Sequence, residues 1–145
     1  MSYMKFLQRL QYKFESPPLI VGGHAMEYYN VRKAGHDLDI MVSDKDWVAL
    51  KKKYPNTLNL FGGQTEDEID ATLNLDCYEI DVIKTLYLHD YNELIVGSID
   101  VGCVKIISLQ NLLYIKAFPY FTHNHTKSGE DVGLIIKKVI DDKKK

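Results

Sequence analysis

Apolar residues recur along the chain with two distinct periods, and the switches between them lay out the elements. Met4, Phe6, Leu7, Leu10 and Phe14 fall at helical spacing, which predicts an amphipathic helix over about residues 3–14, ended by Pro17 and Pro18. Leu19-Ile20-Val21 reads as a short apolar strand stopped by Gly22-Gly23, and His24 to Tyr29 as a turn or two of helix. Asp37 to Val42 then alternates polar and apolar, the mark of a half-buried strand. Ser43 with Asp46 three residues on is an acidic form of the capping box, and opens a predicted helix that runs to Tyr54 and stops at Pro55.

Further on, Thr57 to Phe61 predicts a strand closed by Gly62-Gly63. Tyr78 to Ile83 predicts another, with Ile80 and Val82 on one face and Glu79 and Asp81 on the other. Leu94 to Val96 and Val101 to Ile107 predict a hairpin. Ser108 is placed to cap a helix through Ala117, broken near Pro119, and Ser128 with Asp131 repeats the capping spacing at the start of a last helix to about Ile140. The expected fold class is α/β (α+β), a small mixed β-sheet with helices packed on one face. One domain over residues 1–145 is expected, with an N-terminal helix within residues 1–16 and a charged, frayed tail at 141–145.

Composition narrows the function classes. A chain of 145 residues, 46% hydrophobic, can bury a core without disulfides or a structural metal. A net charge of -2 gives no global attraction to nucleic acid or to an anionic membrane, and Arg9 and Arg32 are the only arginines, which excludes a broad arginine-rich recognition face. Between Glu66 and Asp81 lie seven carboxylates and no Lys or Arg; the Glu66 to Asp70 run reads as a solvated face or loop. Cys77 and Cys103 lack CxxC spacing and read as buried small hydrophobes in a reducing compartment. Lys5 and Arg9 interrupt the first apolar residues and no apolar run exceeds four residues, so neither a signal peptide nor a membrane span is expected, and the expected location is the cytosol.

The candidate chemistry lies in three features in a fixed order: Gly22-Gly23, Asp37-Leu38-Asp39 and Asp81. Asp37 and Asp39 sit two apart on a strand, so their carboxylates share a side, about 7 Å apart at the backbone. A third carboxylate on a neighbouring strand completes an all-oxygen cluster suited to Mg²⁺, which takes one or two carboxylates plus waters and substrate phosphates. Such a cluster supports two-metal displacement at phosphorus. The glycine pair follows a buried strand and precedes a helical turn, where exposed amides can cradle a phosphate. With neither GxGxxG nor GxxxxGK[ST], the dinucleotide and P-loop readings fall away.

Pro18-Leu-Ile-Val-Gly-Gly-His-Ala25 followed by Asp37-Leu-Asp-Ile-Met-Val42 resembles the signature of the DNA polymerase β-type nucleotidyltransferase superfamily: an apolar strand, Gly-Gly or Gly-Ser, a short helix and an Asp-x-Asp strand. Tyr78-Glu-Ile-Asp-Val-Ile83 looks like the later strand with the third carboxylate. Within the superfamily the likeness is to small AbiEii-toxin-like and minimal nucleotidyltransferase proteins, in which a helix with an internal Lys and a basic-acidic turn follow. Here those stretches read Val104-Lys-Ile-Ile-Ser-Leu-Gln-Asn-Leu-Leu-Tyr-Ile-Lys116 and Lys127-Ser-Gly-Glu-Asp131.

The resemblance implies two Mg²⁺ ions bound by Asp37, Asp39 and Asp81, with Asp81 helping to activate the attacking hydroxyl. It implies Gly22 and Gly23 against the nucleoside triphosphate (NTP), Lys116 facing its phosphates, and Asp131 orienting Lys116 or the acceptor. The family's Arg-x-Thr ahead of the Asp-x-Asp is represented by Arg32 or Lys33, with Gly35 at the Thr position.

The implied reaction moves a nucleoside monophosphate (NMP) from an NTP to an acceptor hydroxyl, on RNA, a protein or a small molecule, and releases pyrophosphate. Two other classes stay open. One is a metal-dependent hydrolase of nucleotides or phosphodiesters using the same carboxylates. The other is a non-catalytic interaction protein of a two-component, toxin–antitoxin-like system. Acceptor choice is assigned to the Asn56–Thr72 loop region, the His123–Thr126 turn, or a second chain, including a homodimer partner. Each residue also has a plainer reading: a solvated edge strand for Asp37 and Asp39, a tight turn for Gly22-Gly23, a snorkelling lysine for Lys116, and a helix N3 acid for Asp131. His123 and His125 make a weak Zn²⁺ pair with no third ligand nearby in sequence. Tyr28 or Tyr29, near the glycines, is a candidate base-stacking ring, although packing in the core is the plainer role.

Overall fold

The alternating segment Asp37–Met41 (β2) is the middle strand of a seven-stranded mixed sheet in the computed structural model. The structure describes residues 3–55, 58–60, 70–123 and 126–144. In chain order the elements are α1 (Tyr3–Leu10), β1 (Leu19–Val21), α2 (Gly22–Tyr28), β2, α3 (Asp44–Lys53), β3 (Leu58–Leu60), β4 (Asp70–Leu75), β5 (Tyr78–Ile83), β6 (Thr85–Leu86), β7 (His89–Asp90), α4 (Tyr91–Leu94), β8 (Ile99–Asp100), β9 (Lys105–Ile106), α5 (Leu109–His123) and α6 (Thr126–Lys143). The main sheet runs β3-β4-β5-β2-β1-β9-β8, and β6 and β7 form a separate hairpin. β2 pairs antiparallel with β1 and parallel with β5, so the architecture is the mixed α/β one expected.

Register divides the sheet into two chemically different faces. Ile20, Leu38, Ile40, Leu73, Ile80, Val82 and Ile106 stand opposite one another on one face and have no solvent exposure. Helix α1 covers that face through Phe6, which meets Tyr78 edge-on at 5.1 Å and His24 of α2 at 5.4 Å. The same alternation turns Asp37, Asp39, Glu79 and Asp81 to the other face.

Helix α3 is capped as predicted, by Ser43 accepting from the Asp46 amide. Asp46 does more than the capping box requires. Its buried carboxylate accepts from Tyr12 Oη (2.6 Å), Ser43 Oγ (2.9 Å) and the amides of Glu15 (2.9 Å) and Ser16 (3.1 Å), pinning the segment that leads into β1. Burial disfavours its charge, but these donors outweigh burial and hold its pKa below the ordinary range. That pin explains why α1 ends at Leu10 and not near residue 14: Gln11 turns left-handed (φ 47°), and Tyr12 leaves the helix to reach Asp46.

Several other expectations are corrected. Cys77 and Cys103 are exposed, because each lies in a hairpin turn, between β4 and β5 and between β8 and β9, while their apolar neighbours point inward. The region expected as an Asn56–Thr72 loop contains the start of β4, whose Ala71 and Leu73 fill the core beside Val82 and Ile80. Residues 61–69, including most of the acidic run, lie outside the described residues. Leu94 to Val96 is not a strand. Asp90 and Glu93 form a capping box that winds Tyr91–Leu94 into a helical turn.

Helix α5 starts at the expected Ser108 cap but continues through Pro119, where it lies along α6. Helix α6 begins at Thr126, so Ser128 and Asp131 are buried inside it and not at its cap, and it extends to Lys143 into the segment expected to fray. The His123-x-His125 pair falls outside the described residues apart from the backbone of His123, the last residue of α5. Tyr29 donates its hydroxyl to the Ile107 carbonyl (2.7 Å) and is thereby committed to structure. Among the described residues no helix is long and apolar enough to cross a membrane.

One turn has no counterpart in the sequence reading. Tyr87 and Leu88 join β6 to β7 as a two-residue loop with both φ values positive, 48° and 71°. Such a loop matches the twist of a hairpin, but Asn and Gly are the residues that enter it freely. A bulky residue there costs about 1–2 kcal/mol.

Candidate active site

The site is assembled at the junction of β1, β2 and β5. Asp39 stands opposite Val21 on β1 and Asp81 on β5, and Asp37 stands opposite Glu79. Carboxylate oxygens of Asp37, Glu79 and Asp81 lie within 4.8 Å of one another, close enough to ligate one cation. Asp39 is turned from that triad toward the glycine turn and shares a hydrogen bond with Asp81. Thr72 Oγ1 donates to Asp81 Oδ1 (2.6 Å), fixing the second carboxyl.

Four carboxylates in this space cannot all hold their charge cheaply. Burial first, then the bond to Asp81 and the charges of Asp37 and Asp81, raise the Asp39 pKa to about 9, with Lys116 opposing. Glu79 is raised too, by burial and then by the charges of Asp81 and Asp37, and Asp81 by burial and by Asp37, against the bonds with Thr72 and Asp39, which lower it. Proton sharing between Asp39 and Asp81 is thus the metal-free answer to repulsion, and a divalent cation is the alternative answer. The donors are all hard carboxylate oxygens, which fits Mg²⁺.

Opposite the acids is a basic relay. Asp131, 2% exposed, receives Arg32 through two bonds (Nε 2.8 Å, Nη2 3.1 Å) and Lys116 Nζ at 3.0 Å. Burial opposes its ionisation, but the two cations outweigh burial and hold its pKa below the usual carboxylate range. Asp131 therefore fixes both cations. Arg32 Nη1 also donates to the Lys33 carbonyl (3.0 Å), while the Lys33 side chain is exposed.

The glycine turn closes the site from the β1 side. Gly22 is left-handed (φ +66°), and a Cβ there would lie 2.2 Å from Asp39 Oδ2. Gly23 is tight in a different way, against Arg32 Nη1 and the Gly35 amide, each at 3.4 Å from a Cβ. Gly22→Ala is expected to cost about 1–2 kcal/mol in stability and, by pushing Asp39 aside, about 10²-fold in turnover; thermal melts and steady-state rates check the two effects. Gly22, Asp39 and Lys116 border one cavity of about 200 Å³, whose other walls include Leu86, Tyr87, Pro119 and Ser128.

Asp37, Asp39, Asp81, Gly22, Gly23, Arg32, Lys116 and Asp131 thus meet in one region, whereas Lys33 is exposed and Tyr28 lines a separate cavity with Tyr3 and His24. Glu79 is the residue sequence reasoning placed on the right face but left out of the metal set, and the signal for it was the β2–β5 register, which pairs it with Asp37. Thr72 and Tyr87 carried no signal, since each reaches the site from an element or turn that the pattern did not define, and Ser128 was read only as a helix cap.

A mixed sheet carrying acidic residues on β2 and β5, beside a glycine turn, is a nucleotidyltransferase fold. Two solved structures place it there. The chain is similar to ANT(2″)-Ia, solved in complex with adenylyl-2″-tobramycin, with a TM-score of 0.58 at 14% identity over 95% of this chain and 87% of that one. It is also similar to JHP933 from Helicobacter pylori, with a TM-score of 0.53 at 13% identity over 94% of this chain and 65% of that one. No protein-family model matches the sequence, and no curated protein is similar to it in sequence. At these identities the likeness is one of fold. It reaches neither a superfamily assignment nor the AbiEii-like subfamily.

Proposed function

We propose that the protein is a metal-dependent nucleotidyltransferase that moves an NMP from an NTP to an acceptor hydroxyl and releases pyrophosphate. The convergence of Asp37, Glu79 and Asp81, joined through Asp39 to the cavity that Gly22 and Lys116 line, carries this reading. Asp37, Glu79 and Asp81 would hold Mg²⁺, with Asp39 joining them once its proton is displaced; the ion supplies charge neutralisation at the phosphates. The chain's own groups do the rest. Amides at the Gly22-Gly23 turn receive phosphate oxygens. Lys116, held by Asp131, offsets negative charge gathering on the departing pyrophosphate, and Arg32 braces Asp131 from the far side. The acceptor oxygen forms its bond to the α-phosphorus as the bond to pyrophosphate breaks, and its proton passes to Asp81. Asp39 and Thr72 orient Asp81 for that task.

The acceptor is a hydroxyl of RNA, of a protein or of a small molecule. An adenylylated small molecule in one structural neighbour adds small-molecule hydroxyls to the acceptors to be tried first. Thermal melts with each NTP, with and without Mg²⁺, test the reading: stabilisation that requires both is expected, by about 2.7 kcal/mol at a hundredfold excess over Kd. Labelled NTP with a cell extract should then give pyrophosphate and a labelled adduct. Free NMP with no adduct would assign the site to hydrolysis, and the absence of any metal-dependent stabilisation would assign the chain to non-catalytic binding.

A further inference from the structure

The cavity beside Asp39 has two unlike ends. Gly22, Asp39 and Lys116 form a polar end, and Leu86, Tyr87 and Pro119 form an apolar one. Tyr87 reaches that end from the left-handed turn between β6 and β7. Its turn partner Leu88 is 92% exposed and gains no burial to offset the strained backbone. Tyr87 does make a contact: its ring lies on Phe118 of α5, with centroids 4.9 Å and planes 33° apart. The two rings meet in a tilted contact, which braces the tyrosine ring at the edge of the cavity. Backbone strain that delivers a braced aromatic ring to a cavity wall is the kind that functional sites retain.

We propose that Tyr87 is the base-stacking residue of the nucleotide pocket, the nucleobase of the incoming NTP stacking on its ring while the triphosphate occupies the Asp39–Lys116 end. This rests on the nucleotidyl-transfer reading above and deepens it. The polar end is charged and does not suit a base. The apolar end carries no cation to neutralise a triphosphate. A nucleotide is the ligand whose two halves match both. Leu86 and Pro119 have no polar side-chain atoms to read base edges, which leaves only Ser128 and the Tyr87 hydroxyl for that task, so recognition is chiefly through the ring face. Stacking of that kind tolerates any base and favours the larger purines, so ATP and GTP bind within about tenfold of each other.

Calorimetric titration of the full chain with magnesium tripolyphosphate, MgATP, MgGTP and MgCTP tests this in the wild type, Tyr87→Ala and Tyr87→Phe. The wild type is expected to bind ATP at least about tenfold more tightly than tripolyphosphate. Tyr87→Ala should erase that preference, a loss of about 5- to 100-fold in ATP affinity, with tripolyphosphate affinity unchanged, and Tyr87→Phe should restore it. Wild-type ATP affinity in Tyr87→Ala overturns the proposal, as does an equal loss for ATP and tripolyphosphate, which would mark Tyr87 as structural. If the wild type binds neither ligand with magnesium, the nucleotidyl-transfer reading fails and this proposal with it. Retained tripolyphosphate binding with no Tyr87 effect removes this proposal alone.

Discussion

Replacing Asp39 with asparagine is expected to abolish nucleotidyl transfer and, in the same protein, to raise the stability of the metal-free fold. The two effects have one origin. Asp39 is crowded by Asp37 and Asp81, and its pKa of about 9 means that the folded chain keeps a proton which the unfolded chain releases near pH 4. A folded pKa above the unfolded one makes stability greatest below the unfolded value and lets it fall as pH rises toward the folded value. Asparagine carries no charge and donates to Asp81 in place of the shared proton. The melting temperature of metal-free Asp39→Asn should therefore exceed that of the wild type at pH 8, and the two should meet near pH 4. Turnover should drop by about 10³-fold, the cost of about 4 kcal/mol of lost stabilisation at the phosphates. A variant that retains turnover would remove Asp39 from the site. One that loses turnover but melts lower at pH 8 would show that Asp39 is ionised in the metal-free fold.

Asp131→Ala is expected to produce the largest loss of stability. The wild-type carboxylate is buried and neutralises two cations at once, Arg32 and Lys116. Removing it leaves both charges partly buried and facing each other, a change that costs about 3–5 kcal/mol and about 10–20 °C in melting temperature. The sign with pH is opposite to that of Asp39. Asp131 has a folded pKa below its unfolded one, so its contribution is complete above about pH 4 and is lost as pH falls through the folded value. The gap between wild type and variant should accordingly be wide at pH 7 and narrow progressively below pH 4. A gap independent of pH would mean that the loss is one of packing and not of charge.

The parts of the site legible in the sequence are those built by strict alternation. β1 and β5 fall where the pattern puts them, β2 falls one residue short of its predicted end, and the faces of Asp37, Asp39 and Asp81 follow from period two alone. Glu79 needed one further fact, the parallel register that sets it opposite Asp37. Asp131 was misread locally because Ser128-x-x-Asp131 mimics a cap, whereas both residues are buried inside a helix that begins at Thr126. β4 was hidden by the acidic run before it. The Tyr87-Leu88 turn was illegible because it uses side chains that turn chemistry disfavours, so nothing local announces it.

Core and site alternate along the same two strands, and that interleaving fixes where this chain can vary in length. Deleting one residue from β2 would send Leu38 and Ile40 to the carboxylate face and the aspartates into the apolar layer. A single reading-frame-preserving deletion there would invert the protein's chemistry, not merely weaken it. Length changes over generations, or in a designer's hands, are confined to the connections between strands.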